Sequence, residues 1–282
     1  MSPSLPHGTI LKVTAMKEHY IRPAAVSGMF YPEDPTLLKR DVTNYIRLAR
    51  LTPPAPKPKA LIAPHAGYIY SGPIAGTAFA CLPPLRDSIK RVVILGPSHR
   101  VGFRGIALSS AESFATPLGL VPVDQAACQS ALQIEHVTVF DRAHQHEHGL
   151  EVHLPFLLHC LDHFSIVPMV VGDTDPQSVS KVIDQLWGGN ETLILVSSDL
   201  SHYLTYTEAN RVDAMTSECI ERLDDANIQP DQACGYIPVK GLIINAKKRH
   251  MHCKTLDKRN SGDTAGDKHQ VVGYGAYAFE YS

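Results

Sequence analysis

The sequence predicts an α/β fold on a largely parallel central sheet, and three observations lead there. Four short apolar runs, ALIAP (60–64), RVVILG (91–96), SIVPMVVG (165–172) and TLILVSS (192–198), punctuate the chain. Near-continuous apolar strands of this kind belong to sheets buried on both faces. Helical segments with start signals lie between them, as crossovers between parallel strands require. No internal repeat, low-complexity tract or strong domain break interrupts the pattern, so residues 21–282 read as a single domain preceded by an extension at 1–20.

The elements follow in order. Residues before about Tyr20 read as unstructured, and Met16 offers an alternative start. A helix is expected from Pro35 to Arg50: Asp34 is an N-cap, Pro35 suits the first position, and Leu38, Val42, Tyr45, Ile46 and Ala49 repeat on one face. LTPPAPKPK then reads as a stiff extended connector to the first apolar run. Leu150, Leu154, Leu157, Leu158 and Leu161 mark a further helix, with Pro155 tolerable in its first turns. Asp175-Pro176 opens another, with a stripe of Val179, Val182, Ile183 and Leu186 before Gly188-Gly189. Thr205 and Glu208 have the spacing of a capping box ahead of Val212, Met215, Cys219 and Leu223. Pro238 opens a last helix ending in Lys247-Lys248-Arg249-His250, a basic run that the helix dipole accounts for better than a nucleic-acid patch does. The alternating VVGYGAYAFEY closes the chain as a strand.

Composition narrows the function. The 282 residues are 44% hydrophobic and 19% charged, with net charge −2. That balance builds a globule with a sizeable core and offers no basic excess for nucleic acid or a membrane surface. No apolar run reaches the ~20 residues of a membrane span, and the start lacks a signal-peptide core. The six cysteines form no Cys-x-x-Cys pair and read as reduced thiols in the cytoplasm. The phosphate loop, the dinucleotide Gly-x-Gly-x-x-Gly and the Gly-x-Ser-x-Gly elbow are all missing.

The 15 histidines are the surplus to explain. His65, His99 and His202 each follow the end of an apolar run, and ligands of parallel α/β sheets bind outside the strand carboxyl ends. One such histidine is usually a hydrogen-bonded loop residue; three favour a shared site. Cys234 lies in a break just before a helix, a position expected to lower the thiol pKa and favour a metal-binding thiolate. The run His144-Gln-His146-Glu147-His148, with Glu151 and His153, fails the His-Glu-x-x-His zinc pattern because Leu150 stands four after His146. His144 and His146 read as surface residues, while His148 and Glu151 are expected to face the crevice. Asp199, three residues before His202, is placed to orient an imidazole, to transfer protons, or to cap a turn.

IRPAAVSGMFYP (21–32), LIAPHAGYIYSGPIAGTAF (61–79), VVILGPSHRVGFRGIALS (92–109), EHGLEVHLPFL (147–157), VSSDLSHY (196–203), Cys-Gly-x-x-Pro (234–238) and NSGDTAGDKHQVVGYGAYAF (260–279) together resemble the Memo family. Its bacterial and archaeal members are often labelled AmmeMemoRadiSam system protein B. The resemblance implies the α/β sandwich of LigB-type class III extradiol dioxygenases. Those enzymes hold iron on two histidines and a carboxylate. Carried over residue by residue, it implies metal ligands at His65 and His99, with Cys234 at the carboxylate's position. His202 falls at the catalytic acid/base, with Asp199 and His148 beside it. Iron or copper is the implied metal, with zinc as a further candidate. The implied function is a metal-dependent oxidoreductase. Its alternatives are a peptide- or protein-binding module using the same cleft, with a radical-SAM-associated partner, and a zinc hydrolase.

Overall fold

The computed structural model describes residues 20–281, so the extension read before Tyr20 and the start at Met16 lie outside the described residues. In chain order, β1 (Ile21–Arg22) leads to α1 (Pro35–Arg47), β2 (Ala60–Ala63), α2 (Tyr68–Phe79) and β3 (Arg91–Pro97). Short elements follow: β4 (Ile106–Leu108), β5 (Ser113–Thr116), β6 (Gly119–Pro122), α3 (Gln125–Ala131), β7 (Val137–Val139), α4 (Asp141–Gln145) and α5 (Leu154–Cys160). The rest comprises β8 (Ser165–Val171), α6 (Pro176–Gln185), β9 (Thr192–Ser197), β10 (His202–Leu204), α7 (Tyr206–Glu221), α8 (Tyr236–Lys248), β11 (Met251–Asn260) and β12 (Val271–Tyr281).

The main sheet runs β10-β12-β2-β9-β3-β8-β4-β7, with β11 paired along β12. Its centre, β2-β9-β3-β8, is parallel throughout. These are the four apolar runs of the sequence, and β2 and β9 are buried along their whole length. The flanks are mixed: β12 is antiparallel to β2, and β4 is antiparallel to β8. A small second sheet, β1-β5-β6, begins with the first described strand. The α/β class with a parallel centre is therefore present, with antiparallel strands added on both sides.

Local signals act as read, with shifted ends. Asp34 caps α1, its side chain accepting from Leu37 N, and Leu38 and Val42 are buried. The helix stops at Arg47 rather than Arg50 because the chain turns toward α2, where the Arg50 N–H reaches Thr77 Oγ1. The helix expected over 150–161 divides into a 3₁₀ turn at Glu151–His153 and α5. Thr205 caps α7 by accepting from Glu208 N. The last helix starts at Tyr236, two residues before Pro238, and Lys247 at its end pairs with Asp225.

Helix α2 had no helical signature in the sequence, since it carries Gly72, Pro73 and Gly76. The helix is made by packing. A Cβ on Gly76 would stand 2.6 Å from the Tyr45 backbone, so the glycine lets α1 lie directly against it. Packing outweighs propensity here.

Candidate metal centre

Because β2, β9 and β3 are parallel neighbours, their carboxyl ends lie side by side. His65 leaves β2, Asp199 leaves β9 and His99 leaves β3, so a single crevice receives all three. The His65 and His99 ring centroids are 5.0 Å apart. His148 joins them, 4.4 Å from His99 and 5.4 Å from His65. One ring nitrogen from each of the three lies within 4.8 Å of the others. Cys234, far along the chain, places its Sγ 3.3 Å from His65 Nε2.

Cys234 reaches the centre because Gly235 follows it. A Cβ on Gly235 would lie 2.7 Å from Ser197 O, an approach only glycine permits. The Asp199 N–H donates to Cys234 Sγ at 3.3 Å. The expected lowering of the thiol pKa is not what the surroundings produce: burial pushes it up to about 12, with the nearby Asp199 adding to the rise. A cysteine just before a helix gains from the dipole only while water also reaches it, and this sulfur is largely enclosed.

His99 is held by Glu147. Its backbone N–H donates to Glu147 Oε2 at 2.7 Å, and its Nδ1 donates to Oε1 at 2.8 Å. Burial raises the Glu147 carboxyl, but the His99 ring and backbone bonds, with the Gly149 N–H, outweigh it and hold the pKa below the usual range. An ionised carboxylate only accepts, so His99 carries a proton on Nδ1, and the neutral ring would turn a bare Nε2 outward, the arrangement usual for metal-binding histidines. His65 is oriented otherwise. Its backbone N–H donates to Asp199 Oδ1 at 2.7 Å, and its Nδ1 lies 2.7 Å from Ser197 Oγ.

Burial, with the neighbouring His99 and His148, pushes the His65 pKa well below its ordinary value. Burial followed by His99 takes His148 down to about 4. Both are neutral near pH 7, the form in which imidazole binds metal. The His148 Nδ1 is buried with no hydrogen-bond partner. Asp199 is pushed up to about 7 by burial, against the pull of the His65 amide and His99. His202 stands one step out: its Nδ1 donates to Leu200 O at 2.8 Å. With Asp199 and His148, it lines a cavity of about 570 Å³ walled by Phe30, Tyr70 and Tyr274.

Two further expectations fail. Glu151 does not face the crevice: it is fully buried and pairs with Arg22, accepting as well from Ala25 N, Val26 N and Tyr31 Oη. A carboxylate offered four donors in the interior has no reason to turn to a cleft. His144 is not a surface residue. It is 1% exposed, and its ring donates from Nε2 to Ala107 O at 3.0 Å. His146 is exposed, as expected. Sequence reasoning gave no role to Glu147, Ser197 or Arg22. The signal for Glu147 was its place beside His148; a serine ending a strand and an arginine in a two-residue strand gave none.

Burial, only partly offset by the Ala107 carbonyl, takes the His144 pKa down to about 4. Its unfolded value is near 6.5, so the unfolded chain binds the proton first, and stability falls as pH drops from about 6.5 toward 4. His144 alone should account for about 2 kcal/mol lost between pH 7 and 5. Urea unfolding at the two pH values should show His144→Gln losing about 2 kcal/mol less than wild type. Equal losses would mean that the ring is not buried neutral.

The family model described as Memo-like protein matches residues 22–278. A MEMO1 family protein of Sulfolobus acidocaldarius is 32% identical over 277 residues, covering 90% of this chain and 97% of that one. One from Aquifex aeolicus is 32% identical over 271 residues, with 90% and 97% covered. One from Ignicoccus hospitalis is 34% identical over 283 residues, with 92% and 98% covered. Among solved structures, an uncharacterized protein from Escherichia coli K12 overlaps 76% of this chain and 98% of its own, at 12% identity and a TM-score of 0.46. A match that begins at Arg22 and ends two residues short of Glu280, with relatives aligned nearly end to end, means that the chain belongs to the Memo-like family.

Proposed function

We propose that this chain is a cytoplasmic metal-binding protein that holds iron or copper on His65, His99 and Cys234 and works as a metal-dependent oxidoreductase. The observation that carries the reading is the convergence of three imidazoles and one sulfur at the carboxyl ends of parallel strands. Nitrogen with sulfur suits iron, copper and zinc, and suits magnesium or calcium poorly. The donors fit an ion: the His65 and His148 imidazoles are neutral, and His148 Nδ1 is a buried nitrogen without a hydrogen-bond partner, 3.4 Å from Glu147 Oε1. His148 then stands as a further nitrogen donor to the same ion.

Iron or copper bound there would supply one-electron chemistry. The protein's part is positioning. Glu147 orients His99, while His202 keeps an unprotonated Nε2 as a proton acceptor at the cavity wall. Asp199, with a carboxyl titrating near neutrality, is the second proton-handling group. The relation to LigB-type class III extradiol dioxygenases, with their sandwich fold, belongs to this proposal, with a thiolate in place of the carboxylate.

The test is elemental analysis of untagged protein purified without oxygen, beside His65→Ala and Cys234→Ser. Near-stoichiometric iron or copper, lost in both variants, is the expected result. Zinc in its place, with ester hydrolysis that His65→Ala abolishes, would replace the oxidoreductase by a hydrolase. No metal in any sample would sink the metal reading and leave a cleft that binds a peptide, a small molecule or a radical-SAM-associated partner without turnover.

A further inference from the structure

At the end of β9, one buried hydroxyl serves three partners. Ser197 Oγ lies 2.5 Å from Gly149 O, 2.7 Å from His65 Nδ1 and 2.8 Å from His153 Nε2. Ser197 and His153 are both fully buried.

Proton counting settles who donates. A serine hydroxyl has one hydrogen and two lone pairs. A carbonyl only accepts, so the single hydrogen goes to Gly149 O. Both lone pairs must then receive N–H groups, one from each imidazole. His153 therefore carries its proton on Nε2, and its Nδ1 should be bare. That nitrogen is indeed buried without any partner. Burial takes the His153 pKa down to about 3, so it does not become a double donor near neutrality. By the same count His65 is protonated on Nδ1, which leaves the lone pair of Nε2 pointing to the side where Cys234 Sγ stands at 3.3 Å.

We propose that Ser197, anchored by the Gly149 carbonyl and His153, is the positioning residue that locks His65 in the Nδ1–H tautomer and presents its bare Nε2 to the metal. Two of the three histidines of the centre are thus locked by different devices, a carboxylate for His99 and a hydroxyl for His65. The hydroxyl adds no negative charge next to a ring that already has Asp199 within 4.0 Å of its Nε2. An unsatisfied buried nitrogen is costly, and its presence on His153 is explained if that ring is kept for the N–H it gives to Ser197.

The inference uses the metal reading only for its consequence; the tautomer itself is measured on metal-free protein. Nitrogen-15 histidine labelling, with the His65 signals identified by their loss in His65→Ala, should show Nδ1 protonated and Nε2 bare in wild type from pH 6 to 8. In Ser197→Ala the His65 ring should become a mixture of tautomers. Zinc or cobalt(II) affinity should fall about 10–100-fold, as for other residues that orient a metal ligand. Wild-type His65 protonated on Nε2 would overturn the assignment with no variant needed. An unchanged tautomer in a folded Ser197→Ala would overturn the role of Ser197. If no metal binds at all, the tautomer result still stands or falls by itself.

Discussion

Replacing Glu151 by alanine should destabilise the protein by about 3–5 kcal/mol, the cost typical of removing one partner of a buried ion pair. Arg22 and Glu151 are 1% and 0% exposed. Without the carboxylate, the guanidinium is left charged in the interior, and Ala25 N, Val26 N and Tyr31 Oη lose their acceptor together. Arg22 also ties down the segment that carries Glu147 and His148. Its Nη2 donates to His144 O at 2.9 Å and to Glu147 O at 2.6 Å. Urea unfolding of wild type, Glu151→Ala and the double variant Arg22→Met/Glu151→Leu measures the coupling. The double variant should recover much of the loss, because an apolar pair leaves no stranded charge. A single-variant loss below about 1 kcal/mol would show that the pair does not hold this corner of the fold.

Replacing Glu147 by glutamine should weaken metal binding about 10–100-fold while leaving the fold intact. The three hydrogen bonds to this carboxylate all come from donors, His99 N, His99 Nδ1 and Gly149 N, and His148 Nδ1 lies 3.4 Å from Oε1 besides. An amide has only one acceptor oxygen, so its NH₂ must face at least one N–H. Whichever way the amide turns, its NH₂ opposes either the His99 ring N–H or the His99 backbone N–H, so the residue loses part of the clamp that orients it. Competition against a chromophoric chelator, with iron(II) supplied without oxygen, gives the affinity, and a thermal melt checks the fold. Unchanged affinity in a folded variant would mean that His99 is oriented by something other than Glu147.

What the sequence made legible follows from how local each cause is. The parallel centre was readable because burial on both faces demands unbroken apolar runs, as in β9. The strand-end histidines were readable because a parallel sheet puts its loops on one side. The antiparallel flank was half visible: β12 alternates and was seen, while β11, MHCKTLDKRN, pairs along it with a mostly polar sequence. Helix α2 was hidden because its glycines serve a neighbour distant in sequence. Near the metal centre, the cluster at 144–153 could be found but not sorted. Whether Glu147 or Glu151 faces the crevice depends on Arg22, which lies 129 residues before Glu151. The same holds for Cys234: its place before a helix suggested a low pKa, and enclosure by distant segments reversed the sign.

The donors of the centre also set a timetable. His65 and Cys234 are 169 residues apart. At roughly 5–20 residues per second of synthesis, about 8–34 s separate their appearance from the ribosome. Strand β12, which pairs with the strand leading to His65, arrives later still. The histidines thus exist for many seconds without their sulfur partner or a closed sheet. On the proposed metal reading, ion capture in the cell belongs to the finished chain, and a growing chain that meets a metal early can offer it only a partial set of donors.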